Sequence, residues 1–167
     1  MHTATHLPDE TSESLGLDPE LRVADIMTRD VVTLSADDTL ALAEDVMALG
    51  RFRHLPVVDL DGKAVVGLVT HRDLIGAMAR ALAGFTAQER SWFGREAVAR
   101  TLRIGDVMQI YPLTVAPHTR IYDAACLLRL NKFGCLPVVD DSGHLCGILT
   151  EADFVELFAN SERRPTC

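Results

Sequence analysis

VADIMTRDVVTLSADDTLALAEDVMALGRFRHLPVVDLDG, residues 23–62, lies over IGDVMQIYPLTVAPHTRIYDAACLLRLNKFGCLPVVDDSG, residues 104–143, at a constant offset of 81. Twelve of the 40 positions are identical, among them Asp25/Asp106, Met27/Met108, Phe52/Phe133, Leu55/Leu136, Pro56/Pro137, Val57/Val138 and Gly62/Gly143. Ordinary composition gives roughly three such matches by chance. One extra residue in the first copy shifts the offset to 80, and Gly67/Gly147, Thr70/Thr150 and Asp73/Asp153 continue the match. A period near 80 is too long for a solenoid, so two copies mean two similar subunits packed on each other.

Within each copy the hydrophobic period switches in the same order. VVTL (31–34) and LTV (113–115) are short and β-branched and read as strands. LALAEDVMALG then places Leu40, Ala43, Val46, Met47 and Gly50 on a helical repeat, with Asp38 or Thr39 as N-cap and Gly50 as stop. HLPVVD and AVVGLVT are two apolar runs joined at Asp61-Gly62, a hairpin signal. A second helix opens at His71 and carries Leu74, Ile75, Met78 and Leu82. The expected fold is thus α/β (α+β): two β-α-β-β-α repeats packed with pseudo-two-fold symmetry, each too small to bury a comfortable core alone.

Around the repeats, residues 1–22 hold five carboxylates against Arg22 and read as a mobile acidic tail. Residues 23–83 are the first repeat, 84–103 a charged helical connector packing Trp92, Phe93 and Val98 on the pair, 104–161 the second repeat, and 162–167 a C-terminal tail. His2 and His6 in the first tail read as solvated. With 16 basic and 24 acidic residues among 167, the net charge of −8 argues against a nucleic-acid partner. No apolar run reaches the roughly 18 residues that span a bilayer, and the N-terminal stretch lacks a signal-peptide pattern. No membrane association and a cytoplasmic location are expected. Cys126, Cys135, Cys146 and Cys167 form no C-x-x-C pair and read as free thiols, the first three packed as small apolar side chains.

No P-loop, G-x-S-x-G or H-E-x-x-H occurs, and no metal-ligand cluster stands out, so no enzymatic activity, required cofactor or metal is expected. What remains is T-x-x-D at each strand-to-helix junction: Thr70 with Asp73, and Thr150 with Asp153. A carboxylate can accept from two vicinal hydroxyls, and a helix N-terminus offers amide protons to phosphate. The same spacing is also a capping box that only satisfies orphan amides. His71 and Arg72 would sit in the first helical turn, where positive charge is disfavoured by up to about 1 kcal/mol unless an anion is near. The second copy has Glu151 and Ala152 there, which suit the helix dipole and repel phosphate.

D-I-M-T (25–28), F-R-H-L-P-V-V-D (52–59) and G-L-V-T-H-R-D-L (67–74) resemble the CBS domain, and D-V-M-Q (106–109), F-G-C-L-P-V-V-D (133–140) and G-I-L-T-E-A-D-F (147–154) repeat the resemblance. Together they look like a tandem pair, a Bateman module, from about 23 to 160. The resemblance implies a regulatory module that binds an adenosine-containing ligand (AMP, ADP, ATP or S-adenosylmethionine) in clefts between the repeats. It also implies a homodimer with a protein partner that the sequence does not name. By the same resemblance, Asp73 and Asp153 serve the ribose and Thr70 and Thr150 lie near the phosphate. The adenine-pocket positions map to Thr28, Val31, Arg53 and His54 in the first copy and to Gln109, Pro112 and Cys135 in the second. His54 reads equally as a packed strand-start histidine; Arg51, Arg53 and Lys132 each read as phosphate contacts or as solvated helix-end charges. The expected outcome is asymmetric, with the phosphate-bearing site around Thr70–Asp73 and a weaker, empty or nucleoside-like one around Thr150 and Asp153. The rival readings are a ligand-free dimerisation or scaffold module and, more remotely, a thiol-based redox or metal sensor.

Overall fold

A computed structural model describes residues 18–86 and 92–161. The expected tail up to residue 17, His2, His6, Cys167 and the C-terminal residues 162–167 lie outside the described residues, as do the side chains of Trp92 and Phe93. The chain runs α1 (Val23–Ile26), β1 (Leu34–Ser35), α2 (Leu40–Gly50), β2 (His54–Val58), β3 (Val65–Thr70), α3 (His71–Ala81) and α4 (Trp92–Thr101). A short 3-10 turn (Ile104–Asp106) leads into β4 (Gln109–Ile110), α5 (Ile121–Asn131), β5 (Cys135–Val139), β6 (Leu145–Thr150) and α6 (Glu151–Ser161).

The first sheet has the order β1-β2-β3-β4, with β1 parallel to β2 and the other pairs antiparallel. The second has β5 and β6 antiparallel, extended by single bridges from Val115 to Val138 and from Thr28 to Ile148. The strand expected at 31–34 is therefore shorter and later. Val31 N–H turns back to Arg29 C=O and Ser35 N–H is taken by Asp38 Oδ2, so only Leu34 and Ser35 join the ladder. In the second copy the expected strand 113–115 shrinks to Val115.

Thr39 caps α2 by accepting from Leu42 N–H, and Leu40, Ala43 and Met47 turn inward. The helix does end at Gly50, but the left-handed residue that stops it is Arg51 (φ 54°), mirrored by Lys132 (φ 56°) after α5. On α3, Leu74, Ala77 and Met78 are buried, whereas Ile75 is exposed and borders a cleft.

The two cores are stitched by exchanged segments. Val23 and Met27 of α1 and its C-cap pack with Val115, Ile121, Leu136 and Leu149 of the second repeat. Ile104 and the connector's Ala99, with Val98 partly buried beside them, pack with Leu40, Leu55, Val69 and Leu74 of the first. The hydrogen bonds of this exchange obey the offset of 81: Val23 N–H donates to Thr119 C=O and Ile104 N–H to Asp38 C=O, both at 2.9 Å. Likewise Arg22 bridges Arg120 as Arg103 bridges Thr39. Leu21 also packs on the second core, so the expected acidic tail gives way to folded chain before residue 22. The methionines of D-I-M-T and D-V-M-Q each lie against a glycine of the opposite repeat: a Cβ on Gly67 would collide with Met108 Sδ, and one on Gly147 with Met27 Sδ. Leu68, Cys135 and Ile148, with Val31 beside them, close the contact between the sheets.

Candidate functional site

Both T-x-x-D segments are held by local hydrogen bonds, and the first is a full capping box. Thr70 N–H and Oγ1–H donate to Asp73 Oδ2 at 2.8 and 2.6 Å, and Asp73 N–H donates back to Thr70 Oγ1 at 3.2 Å. Thr150 N–H and Oγ1–H reach Asp153 Oδ2 at 2.6 and 2.8 Å. The capping geometry is thus real. It fixes where α3 and α6 begin and aims their first turns at the seam between the repeats.

Two clefts lie along that seam. The first, about 660 Å³, is bordered by Arg53, His54, Thr70, His71, Arg72, Gln109, Pro112 and Cys135, together with Leu68, Ile75, Leu113, Lys132, Phe133 and Glu151. The second, about 480 Å³, is bordered by Thr28, Val31, Arg53, His54, Thr150 and Asp153, together with Asp30, Arg51, Phe52, Ile148, Glu151 and Ala152. The expected grouping by copy is therefore corrected. Gln109 and Pro112 stand with Thr70, and Thr28 and Val31 with Thr150. The exchanged segments are the cause: β4 pairs Gln109 with Leu68, and Thr28 pairs with Ile148. Thr28 Oγ1–H also reaches Asp153 Oδ1, at 3.4 Å. Asp73 is not part of either lining; it stands behind Thr70, which faces the first cleft. Arg53 and His54 border both clefts.

The two differ in charge. Arg53, Arg72 and Lys132 face Glu151 alone in the first, whereas Arg51 and Arg53 face Asp30, Glu151 and Asp153 in the second. The His54 ring is held below its ordinary pKa by burial, with Arg53 acting in the same direction and Glu151 and Asp73 opposing. Burial pushes the Cys135 thiol up to about 12, which keeps it protonated and unreactive at neutral pH and counts against a thiol sensor built on it. Phe52, Phe133 and Gly134 were not named as site residues from the sequence. The paired aromatic at 52 and 133 is a visible repeat signal, but Gly134 is not. It occupies the place of Arg53, and a Cβ there would stand 2.6 Å from His54 Nε2, so its lack of a side chain admits the ring.

Among the described residues no helix is long and apolar enough to cross a membrane. A sequence profile of the CBS domain matches residues 23–80 and 104–160. A CBS domain-containing protein of Dictyostelium discoideum is 30% identical over 135 residues, covering 81% of this chain and 89% of that protein. Inosine-5′-monophosphate dehydrogenase of Mycobacterium tuberculosis is 37% identical over 131 residues, but the chain spans only 21% of that enzyme's length. The crystal structure of CBSX2 from Arabidopsis thaliana in complex with AMP superimposes with a TM-score of 0.68 at 30% identity, over 85% of this chain and 98% of that one. With its two matched repeats, its mirrored seam and a relative aligned over nearly its whole length, the chain belongs to the CBS domain family.

Proposed function

We propose that the chain is a regulatory module rather than an enzyme, and that it binds an adenosine 5′-phosphate in the first cleft. One observation carries this reading: Arg53, Arg72 and Lys132, drawn from both repeats, converge with the amide-bearing start of α3 on a single cavity. Phosphate suits that end, because amide protons and guanidinium groups both donate to its oxygens. The wall of Leu68, Ile75, Pro112 and Leu113 suits a purine, with Gln109 as its polar contact. Asp73 uses Oδ2 for Thr70 and stands outside the lining, so a ribose hydroxyl meets its other oxygen only if the Thr70–Asp73 box shifts on binding. The second cleft, richer in carboxylates, holds a nucleoside without phosphate or stays empty.

Occupancy then shifts how the repeats pack, and so what a partner protein meets, by as much as the ligand prefers one packing over the other. The exposed Tyr122, Leu130 and Val155 on α5 and α6 support a homodimer through these helices; sedimentation velocity reports its mass. Titration calorimetry with AMP, ADP, ATP and S-adenosylmethionine tests the ligand. The phosphate-bearing nucleotides should bind more tightly than the sulfonium, and Arg72→Ala should weaken AMP by about tenfold or more, as expected for a hydrogen bond to a charged group. If none of the four binds, the reading fails.

A second reading draws support from the hydrogen bonds within Thr70–Asp73 and Thr150–Asp153, which engage one oxygen of each carboxylate in helix capping. In it the module is a ligand-free scaffold and the boxes are only caps. It predicts that Asp73→Asn lowers thermal stability while no adenosyl compound raises it.

A further inference from the structure

A third cavity, of about 760 Å³, opens between α2, the start of α3 and the connector helix α4. Arg53 and His71 border both it and the first cleft, so the two spaces meet at these side chains. Beyond them the cavity presents Arg51, Arg95 and Arg100. We propose that it is an anion subsite for the distal phosphates of an adenosine polyphosphate whose first phosphate lies by Arg72. This rests on the reading of the first cleft given above.

Charge supports the assignment. Four guanidiniums face Glu44, Asp45 and Glu96. Two of these carboxylates are already engaged, Glu44 by Arg95 at 2.6 Å and Glu96 by Arg100 at 2.7 Å. Within this cavity Asp45 is the remaining carboxylate opposite Arg51, Arg53 and His71, of which Arg51 and Arg53 also border the second cleft with Asp30, Glu151 and Asp153. Both ion pairs are partly exposed, where such pairs contribute little, and a phosphate can replace a carboxylate on the fork of an arginine. A monophosphate would end in the first cleft; each further phosphate would pass Arg53 and His71 into the third cavity. The equipment is one-sided. At the repeat offset of 81, Arg95 and Arg100 fall on Ser14 and Pro19, so the segment leading into α1 carries no matching cations.

The test is calorimetry on the full chain in magnesium-free buffer, with AMP, ATP and inorganic tripolyphosphate as probes. ATP should bind the native chain about tenfold more tightly than AMP. In Glu44→Gln combined with Arg95→Gln, which leaves the net charge unchanged, that preference should shrink to about twofold while AMP affinity holds. Arg100→Ala, on an exposed side chain, should reduce it in the same direction and serves if the double variant does not fold. Equal binding of AMP and ATP to the native chain would overturn the proposal. So would an ATP preference that survives these variants, or tripolyphosphate binding as tightly as ATP. If AMP itself does not bind, the reading of the first cleft falls and this one with it; a missing ATP preference alone leaves the first cleft standing.

Discussion

His54 stands where the repeats meet, its ring in the space that Gly134 leaves open and on the border of both clefts. Because burial lowers its pKa, the folded chain binds a proton there less readily than the unfolded chain. As the pH falls through about 6.5 the unfolded chain takes the proton first, so stability is complete above that value and declines below it. The thermal midpoint should therefore drop between about pH 7.5 and about pH 5.5, and His54→Gln should flatten the drop. Identical slopes in the two proteins would assign the loss to other groups. Both readings of His54 in sequence were physically sound, since a side chain at a seam is packing and cleft wall at once. Nothing in its own neighbourhood announced this, because the residue that makes room for it lies 80 positions away.

The helices show how local chemistry sets the boundaries of an element and leaves its side chains to other work. Both α2 and α5 end on a non-glycine residue in the left-handed region, Arg51 and Lys132. That conformation costs a β-carbon-bearing residue roughly 1–2 kcal/mol, which glycine avoids by having no Cβ, a gain partly offset by its greater loss of chain entropy on folding. Lys132 borders the first cleft, so the strained position also supplies a cation. Lys132→Gly should raise stability by up to about 1 kcal/mol in denaturant unfolding and at the same time weaken AMP. A variant that gains stability with AMP binding intact would remove Lys132 from the phosphate contacts. The stop was legible at Gly50 to within one residue. The displacement to Arg51 was not, because glycine also tolerates the helical conformation it takes here; the ring of Phe52 lies where a Cβ on Gly50 would be.

Across the whole molecule the exchanged segments make the two repeats one folding unit. Val23 and Met27 complete the second core, and Ile104 and Ala99 complete the first. A fragment of residues 23–83 would leave the apolar surface of Leu40 and Leu74 open where Ile104 belongs, and would carry α1 with nothing to cover it. That fragment should show little cooperative unfolding by circular dichroism, and adding residues 84–161 as a second fragment should restore it. A sharp transition in the first fragment alone would show that each repeat has a sufficient core.

The duplication, the helix periods, the hairpins and both T-x-x-D boxes were written in the chain, because hydrophobic period and turn chemistry act over a few residues and repeat at a fixed offset. The same locality made Thr70, His71 and Arg72 readable as the start of a helix with positive charge in its first turn. Which residues share a cleft was decided only by the tertiary structure. Gln109 joins Thr70 and Thr28 joins Asp153 because each short segment crosses to pair with the other repeat's strand. The two boxes also part company here: Asp73 and Asp153 hold their threonines alike, yet only Asp153 borders a cleft. Pairing between distant strands depends on the packing of both cores together, and no window along the sequence contains that information.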